Sequence, residues 1–386
     1  KFWFNKLYYH EQAFWKPLQP VNLSLCRYLF LIITLSENMK MPVNRRSFLK
    51  LASIYGLFFS SNTVLANSYT KWYTRQKSDR IDVHHHILPP VYTLALAKIG
   101  IKSAGGVPFP NWNAQKSLDV MDRNGIATAI TSISAPGIYF GDIEFSKVLA
   151  KRCNEFSASL IRDNKKRFGG FAVLPLPDVK AAVNELEYAL DVLKLDGVVL
   201  LSNVDGHYLG NSKFDELYAE LNRRKAIVFI HPTVPANGKF PKMKIPTSIE
   251  EFVFDTTRAI SNLILNKTIK RFPNIRFIVS HAGGTAPYIA WRMSLLDYQF
   301  RTDTINDLKR LYYDTALSAS PYALRSLQEL VNPSHILFGS DYPFVPEIIT
   351  RMTISGLNKF DGFDEKKLRG INRENALDLF PRFVRK

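Results

Sequence analysis

The sequence predicts an α/β fold of the (β/α)8 barrel type, in which eight parallel strands alternate with helices. Short apolar runs rich in β-forming residues recur eight times, and amphipathic stretches separate them. Together these segments cover about 260 residues, which is the usual size of such a barrel. The competing layout is a doubly wound open sheet, but the GxGxxG loop typical of its first strand is absent from the sequence.

The predicted strands follow one another from residue 81 onward. They cover residues 81–86, 128–133, 170–174, 197–201, 227–231, 275–280, 311–315 and 336–339. Amphipathic segments such as 179–193 and 213–224 predict the intervening helices. Because no Gly/Ser-rich linker or internal repeat interrupts the pattern, we expect one domain over residues 67–386.

The amino-acid composition and charge of the chain exclude some classes of function. The chain has 386 residues, is 46% hydrophobic and carries a formal net charge of +17. Its lysines and arginines are scattered and accompany no zinc-finger, RNP or helix-turn-helix signature, so nucleic-acid binding is not expected. A positive field instead suits a small anionic ligand. Cys26 and Cys153 are the only cysteines, so no disulfide framework is expected.

Residues 39–66 have the pattern of a secretory signal. The first methionine is Met39, and the chain continues with NRRSFLK, an apolar stretch over 51–59 and a small-residue end at Ala66. That stretch is too short for a permanent membrane helix, so no stable membrane anchor is expected after signal removal. The motif matches the twin-arginine export pattern, with Asn44 where Ser or Thr is usual. We therefore expect a periplasmic protein, or a cytoplasmic one if the signal is not used.

Residues 1–38 precede this signal and contain an aromatic-rich start and an apolar run over 28–35. We interpret them as upstream sequence that is non-native or unstructured. The alternative interpretation is a membrane anchor.

Three consecutive histidines lie in the first predicted strand, IDVHHHILPP. Because side chains alternate along a strand, His84 and His86 share one face and His85 points to the helices. Their backbone positions are about 7 Å apart, which is close enough for the two imidazoles to bind one metal ion. Asp82 has the same parity as His84, so we expect it to support a ligand histidine. For His85 we expect a structural role.

Other potential metal ligands follow other predicted strands. His231 ends the fifth strand in FIHP, His281 follows the sixth in VSHAGG, and Asp341 follows the eighth in LFGSDYPF. The carboxyl ends of barrel strands meet at one rim, where barrel active sites are built. The sequence therefore predicts a divalent metal site at the C-terminal rim.

The order of these ligands along the chain resembles that of the amidohydrolase superfamily. The sequence segments around them resemble those of the aminocarboxymuconate-semialdehyde decarboxylase family. Further stretches are similar to the 6-methylsalicylate decarboxylase subgroup. The matching segments span about residues 80–380 and include SLDVMDRNGIATAITSIS, RFGGFAVLPLPD, IVFIHP, RFPNIRFIVSHAGGTAPYIAWR, ILFGSDYPF, GHYLG and DTTRAI.

The resemblance implies a set of roles for these residues. One metal, Zn²⁺ or alternatively Mn²⁺, would be bound by His84, His86, His231 and Asp341. His281 would be the catalytic histidine. Residues 198–201 lack the carboxylated-lysine signature of two-metal relatives, so a single ion is expected.

Two arginines would serve the substrate. Arg292 would bind its carboxylate, in this family often across a homodimer interface. Arg258 would bind another anionic oxygen, or else it is a helix-surface residue. Three aromatic residues, Trp112, Tyr139 and Phe140, would line the pocket or pack in the core.

The implied reaction is non-oxidative decarboxylation of a small aromatic or cyclic carboxylate by a metal-dependent carboxy-lyase. Asp341 or His281 would protonate the ring carbon as the C–C bond breaks. In the related semialdehyde substrate, hydroxide adds before CO₂ leaves, and the sequence leaves both routes open. Hydrolysis of a lactone or an amide by the same site is the alternative activity. A metal-binding protein without chemistry would not need His281.

Overall fold

The computed structural model describes residues 79–238, 240, 241 and 243–384. Within them it contains the predicted barrel of eight parallel strands surrounded by helices. The predictions for residues 1–38 and for the signal at 39–66 lie outside the described residues.

The barrel strands are short and almost completely buried, because helices cover their outer face and side chains fill the interior. In chain order they are β1 (Arg80–His86), β2 (Ile126–Ser132), β3 (Phe168–Val173), β4 (Gly197–Leu201), β5 (Ile227–His231), β6 (Arg276–Val279), β7 (Tyr312–Asp314) and β8 (Ile336–Leu337).

Each strand pairs in parallel with the next strand along the chain. The last strand returns to the first, since the amide of Val83 donates to the carbonyl of Phe338 at 2.9 Å. Beyond β8, His85 pairs with Tyr342 in a parallel bridge. Hydrogen bonds thus join β1 to the segment around β8, and the carboxyl ends of all eight strands lie at one rim.

Helices follow the strands and cover them on the outside. They are α1 (Pro90–Lys98), α2 (Ala114–Arg123), α3 (Ile143–Asp163), α4 (Val179–Glu187), α5 (Asp215–Arg223), α6 (Glu251–Leu265), α7 (Thr268–Arg271), α8 (Ala286–Ser294), α9 (Asp297–Phe300), α10 (Thr304–Lys309), α11 (Pro321–Leu330), α12 (Glu347–Lys359), α13 (Glu365–Arg369) and α14 (Asn375–Leu379). Several begin at a capping side chain that accepts a backbone N–H, such as Asn113 before α2 and Asp142 before α3.

The predicted elements match closely. The bounds of β4 and β5 are those predicted, and the other strands differ by at most two residues at either end. The helix expected over 179–193 is α-helical only to Glu187 and continues as a wider π-helical turn, Tyr188–Val192. Among the described residues, no helix is long and apolar enough to cross a membrane.

An aromatic floor lies below the rim. Phe171 and Phe229 stack with ring centroids 5.3 Å apart, and Phe229 contacts the ring of His84 at 4.9 Å. Gly339 lets β8 approach β1 closely, because a Cβ atom there would lie 2.9 Å from the Cβ atom of His84. Rigid packing therefore fixes the first strand of the site from below and from the side.

Candidate metal centre

Strand β1 presents its histidines to opposite sides, as alternation predicts. The Nε2 atoms of His84 and His86 point into the rim and lie 3.0 Å apart. Asp341, in the loop after β8, brings its Oδ1 atom to 3.2 Å from His84 Nε2 and 3.0 Å from His86 Nε2. Donor atoms around one metal ion with bonds of about 2.0–2.1 Å lie at this spacing.

His231 and His281 complete the cluster from β5 and from the loop after β6. The donor atoms of His84, His231, His281 and Asp341 all lie within 4.8 Å of one another. The ring of His86 is 4.8 Å from that of His231. The structure thus brings all five predicted residues together at a metal site. Which four bind the ion, and which residue is the catalyst, stay predictions.

The outer nitrogen of three of these imidazoles is held by a neighbour. Nδ1 of His84 donates to Asp314 Oδ2 at 2.7 Å, and Nδ1 of His231 donates to the carbonyl of Pro232 at 2.7 Å. Nδ1 of His86 lies 3.0 Å from the hydroxyl of Ser132. These contacts fix the ring orientations and leave the Nε2 atoms free to bind a metal.

Sequence reasoning missed Asp314, which supports the cluster most directly. Its second oxygen accepts the backbone N–H of His281 at 3.0 Å, so one buried carboxylate at the end of β7 orients two histidines. The available signal was its position, since Asp314 ends a strand in the same way as the other site residues do.

The role expected for Asp82 was wrong. Its Oδ2 atom contacts the ring of His85 at 3.1 Å and accepts the hydroxyl of Ser340, while its Oδ1 accepts the backbone N–H groups of Ser340 and His84. The β1–β2 register shifts between Asp82 and His85, so strict alternation fails there. Asp82 therefore joins β1 to the segment after β8 and supports His85 instead of a ligand imidazole.

The structural role expected for His85 agrees with its contacts. Its Nε2 atom lies 2.9 Å from the hydroxyl of Ser117 on α2, and Trp112 donates to the same oxygen at 2.8 Å. Because Asp82 can only accept, His85 Nδ1 donates to it and Nε2 accepts from Ser117. Trp112 therefore belongs to the outer layer of the barrel and not to the pocket.

His281 has an unusual backbone conformation, and one of its ring nitrogens forms no hydrogen bond among the described residues. It has φ of 54°, and Asp341 has φ of 61°, so both lie in the left-handed region that ordinary residues rarely adopt. His281 Nε2 is 3.5 Å from Asp341 Oδ2, and among the described residues its buried Nδ1 has no hydrogen-bond partner. The imidazole therefore lies beside the Asp341 carboxylate and keeps one ring nitrogen without a partner in the described part of the chain.

Burial and charge separate the pKa values in the cluster. Burial alone would lower the pKa of His84, but Asp314 and Asp341 raise it to about 10. Burial lowers the pKa of His86 to about 4 and that of His231 well below 6.5. Burial would raise the pKa of Asp341, yet the charge of His84 and hydrogen bonds from the surrounding imidazoles hold it well below 3.8. Binding of a divalent ion here therefore competes with protonation of His84.

A pocket of about 230 Å³ opens onto the cluster. His231, His281 and Asp341 form its polar end, and among the described residues its lining contains no lysine or arginine. Most of the remaining lining is apolar and includes Phe252 and Phe344. We refer to it as the metal pocket. Its shape and polarity suit a small ring that presents an anionic group to the metal.

The two predicted substrate arginines lie away from the metal pocket within one chain. Arg292 is exposed on α8. Arg258 on α6 is 45% exposed and forms ion pairs with Glu251 at 3.5 Å and Asp255 at 3.6 Å. The fold thus gives Arg258 the position of a helix-surface residue, and neither arginine is among the described residues that line the metal pocket.

Comparison with known proteins identifies the family. The family model described as amidohydrolase matches residues 81–382, which is most of the chain. The chain belongs to the amidohydrolase family. This amidohydrolase is 36% identical over 316 residues to the 6-methylsalicylic acid decarboxylase of Penicillium expansum, covering 78% of this chain and 96% of the relative.

Solved structures share its fold. A crystal structure described as an amidohydrolase II superposes with a TM-score of 0.76 at 31% identity and covers 78% of this chain and 99% of that one. A dihydroxybenzoic acid decarboxylase from Polaromonas sp. JS666, crystallised with bound manganese and the inhibitor 2-nitroresorcinol, gives a TM-score of 0.65 at 19% identity. That match covers 80% of this chain and 98% of the other.

Proposed function

We propose that this amidohydrolase is a metal-dependent, non-oxidative decarboxylase of a small aromatic hydroxycarboxylate similar to 6-methylsalicylate. The observation that carries the proposal is the histidine–aspartate cluster at the end of an apolar, ring-sized pocket. The Penicillium relative, which matches almost over its whole length, has the name of such an enzyme.

The donor set fits a divalent ion. His84, His86, His231 and Asp341 would hold it, and imidazoles with one carboxylate suit Zn²⁺, which we propose, with Mn²⁺ as the alternative. Manganese is bound in the Polaromonas structure, which shares the fold. When bound, the ion supplies positive charge that orients and neutralises the substrate carboxylate and an adjacent hydroxyl.

The residues around the ring would complete substrate binding. Phe252 and Phe344 line the metal pocket with Ile249 and Ile349, so they offer apolar surface to an aromatic ring. The apolar lining also strengthens the electrostatic interactions of the carboxylate.

Proton delivery falls to the residues beside the cluster. Loss of CO₂ leaves the C–C bonding electrons on the ring carbon, and that carbon must gain a proton. His281 is suited to deliver it, because its side chain lies at the metal pocket and its Nδ1 has no partner among the described residues. Asp341 is the second candidate acid, but its contacts with His84 and His86 favour the charged carboxylate.

The proposed homodimer is supported by the face of α8 that carries Arg292. Tyr288, Trp291 and Leu295 follow three- and four-residue spacing around it and are 85%, 75% and 63% exposed. An exposed apolar patch of this kind is typical of an interaction surface. We propose that a second copy covers it and that Arg292 serves the neighbouring site.

Mixed dimers test this assembly. His281→Ala and Arg292→Ala chains, each inactive alone, should regain part of the activity when combined, because one of the two sites in a mixed dimer is then intact. No recovery, with subunit exchange verified, would place Arg292 outside the neighbouring site.

Twin-arginine export and periplasmic location remain proposals that rest on NRRSFLK and on the small-residue end at Ala66. A variant with Arg45→Lys and Arg46→Lys should leave the precursor in the cytoplasm. Normal appearance of that variant in the periplasm would contradict export by this route.

The reaction itself is tested with the metal-loaded chain starting at Asn67. We expect CO₂ release from 6-methylsalicylate, with formation of 3-methylphenol. The isomer with its hydroxyl two ring positions from the carboxylate is the matched control, because the two groups can no longer bind one ion together. Hydrolysis of a lactone without CO₂ release would contradict decarboxylation and support the alternative activity, hydrolysis by the same site.

A further inference from the structure

A second cavity of about 270 Å³ lies beside the metal pocket, over the carboxyl ends of β2 to β5. Ser134 lines both, so the two cavities meet at this residue. The lining of the second cavity is largely aliphatic and includes Leu174, Leu201 and Val204. Among its described lining residues only Asp205 is charged. This cavity, which we call the side chamber, contains none of the metal-site residues.

The side chamber is held open by a buried hydrogen-bond network. Asp255 on α6 is fully buried and accepts the hydroxyl of Ser202, the amide of Asn203 at 2.9 Å and the hydroxyl of Tyr208 at 2.5 Å. These partners lie at the end of β4 and in the hairpin after it, which form one wall of the chamber.

The same network also holds the adjacent loop after β5. The backbone N–H of Thr233 donates to Ser202 at 3.1 Å, and the side-chain amide of Asn203 donates to the carbonyl of Val234 at 3.0 Å. Thr233 and Val234 belong to the loop that follows His231, and both line the chamber. Two adjacent lining segments are thus fixed to one buried carboxylate, and moving either of them into the chamber would break several hydrogen bonds.

We propose that the side chamber is a binding subsite for an apolar chain on the substrate ring, so that the enzyme accepts 2-hydroxybenzoates with a 6-alkyl group longer than methyl. The inference rests on the proposed function. A pocket of about 230 Å³ suffices for a single ring but lies below the usual ligand-pocket range of about 300–1,000 Å³. The adjoining chamber offers the additional volume, and its aliphatic lining matches a hydrocarbon chain.

The expected energetic effect is large enough to measure. Each methylene moved from water into an apolar cavity strengthens binding about fourfold. Catalytic efficiency, kcat/KM, should therefore rise from the 6-methyl to the 6-propyl and 6-pentyl compounds until the chamber is filled. The gain should come mainly through KM, because the chain lies away from the reacting carbon.

Filling the chamber is the decisive experiment. Val204→Phe places a larger side chain on its wall, and Val148→Phe, at an exposed position of α3, is the matched control. CO₂ release is measured for the three substrates with each variant. In Val204→Phe we expect kcat/KM for the pentyl compound to fall at least about tenfold, while the methyl compound changes less than about twofold. Ala236→Leu, which also lines the chamber, repeats the test if Val204→Phe folds poorly.

Two results would overturn the subsite. One is a kcat/KM that falls steadily as the alkyl chain lengthens in the parent enzyme. The other is an equal loss for methyl and pentyl substrates in both filled variants of normal thermal stability.

Calorimetric binding of 3-methyl-, 3-propyl- and 3-pentylphenol separates this proposal from the reaction. If no substrate releases CO₂, the proposed function fails, yet tighter binding of longer phenols that Val204→Phe abolishes would still support the chamber. Equal binding of all three phenols would reject it.

Discussion

The two faces of strand β1 carry the same residue type but serve different purposes. On the inner face, His84 donates through Nδ1 to Asp314, and its Nε2 meets other potential metal ligands. On the outer face, His85 donates through Nδ1 to Asp82, and its Nε2 meets the hydroxyl of Ser117. Both imidazoles are fully buried beside a carboxylate. In this comparison the partner of the second nitrogen, and not burial or an acidic neighbour, distinguishes the potential metal ligand from the structural histidine.

The largest expected contrast is between His86→Ala and His85→Ala. His86→Ala should lose most of the metal and with it nearly all activity, because one donor is removed from the cluster. His85→Ala should keep about one metal per subunit but lose roughly 1–3 kcal/mol of unfolding free energy, because Asp82 and Ser117 lose a buried partner. Elemental analysis and urea unfolding of the two variants measure both effects. Equal metal loss would contradict the division of the strand into two faces.

The variant His281→Ala tests whether His281 is a metal ligand, like the other histidines of the cluster, or a proton donor. If His281 moves a proton, the variant should lose about 10²–10⁴-fold in kcat while its metal content stays near that of the parent. Single-turnover CO₂ release together with metal analysis of the same sample distinguishes the two roles. Parallel loss of metal would make His281 a ligand.

Asp314→Asn tests the carboxylate behind the inner face. The amide is nearly isosteric but uncharged, so His84 loses its strongest support, and metal affinity or activity should fall about 10–100-fold. A competition titration against a chelator measures the affinity. Asp307→Asn on α10, also a buried carboxylate but outside the cluster, is the control and should leave metal affinity unchanged.

The smallest expected effect is on the stability of the outer helical layer. There α2, which carries Ser117, forms an ion pair with α12. Arg123 forms hydrogen bonds with Glu347 of 2.7–3.1 Å. The bond from Arg123, together with those from its other neighbours, lowers the pKa of Glu347 from 4.5 to about 2. The folded-state pKa is depressed, so this contribution to stability is complete above about pH 4.5 and is lost as the pH falls to about 2.

Glu347→Gln should therefore lower the unfolding free energy by about 1–2 kcal/mol at pH 7, after allowance for solvent screening, and by much less near pH 2. Urea titrations at several pH values measure this difference. Glu329→Gln, at an exposed position of α11, should show no comparable dependence on pH. A constant difference at all pH values would indicate lost packing instead of lost charge.

The sequence predicted the eight strands and the meeting of five site residues because barrel geometry turns position at a strand end into position at one rim. It did not predict Asp314, whose role depends on the direction of its side chain toward His84. It misassigned Asp82, because a register shift in β1 interrupts strict alternation. The side chamber was also beyond sequence analysis, since its walls come from segments that only the folded chain brings together.

The proposed metal ligands come from the first and the last strand regions of the barrel sequence, since His84 and His86 lie in β1 and Asp341 follows β8. During translation the first two imidazoles therefore emerge long before the carboxylate that completes the site. A growing chain that stops short of residue 341 lacks that donor and also the loop that joins the last strand to the first. Binding of an ion by the full proposed set of ligands therefore requires a chain that extends past residue 341.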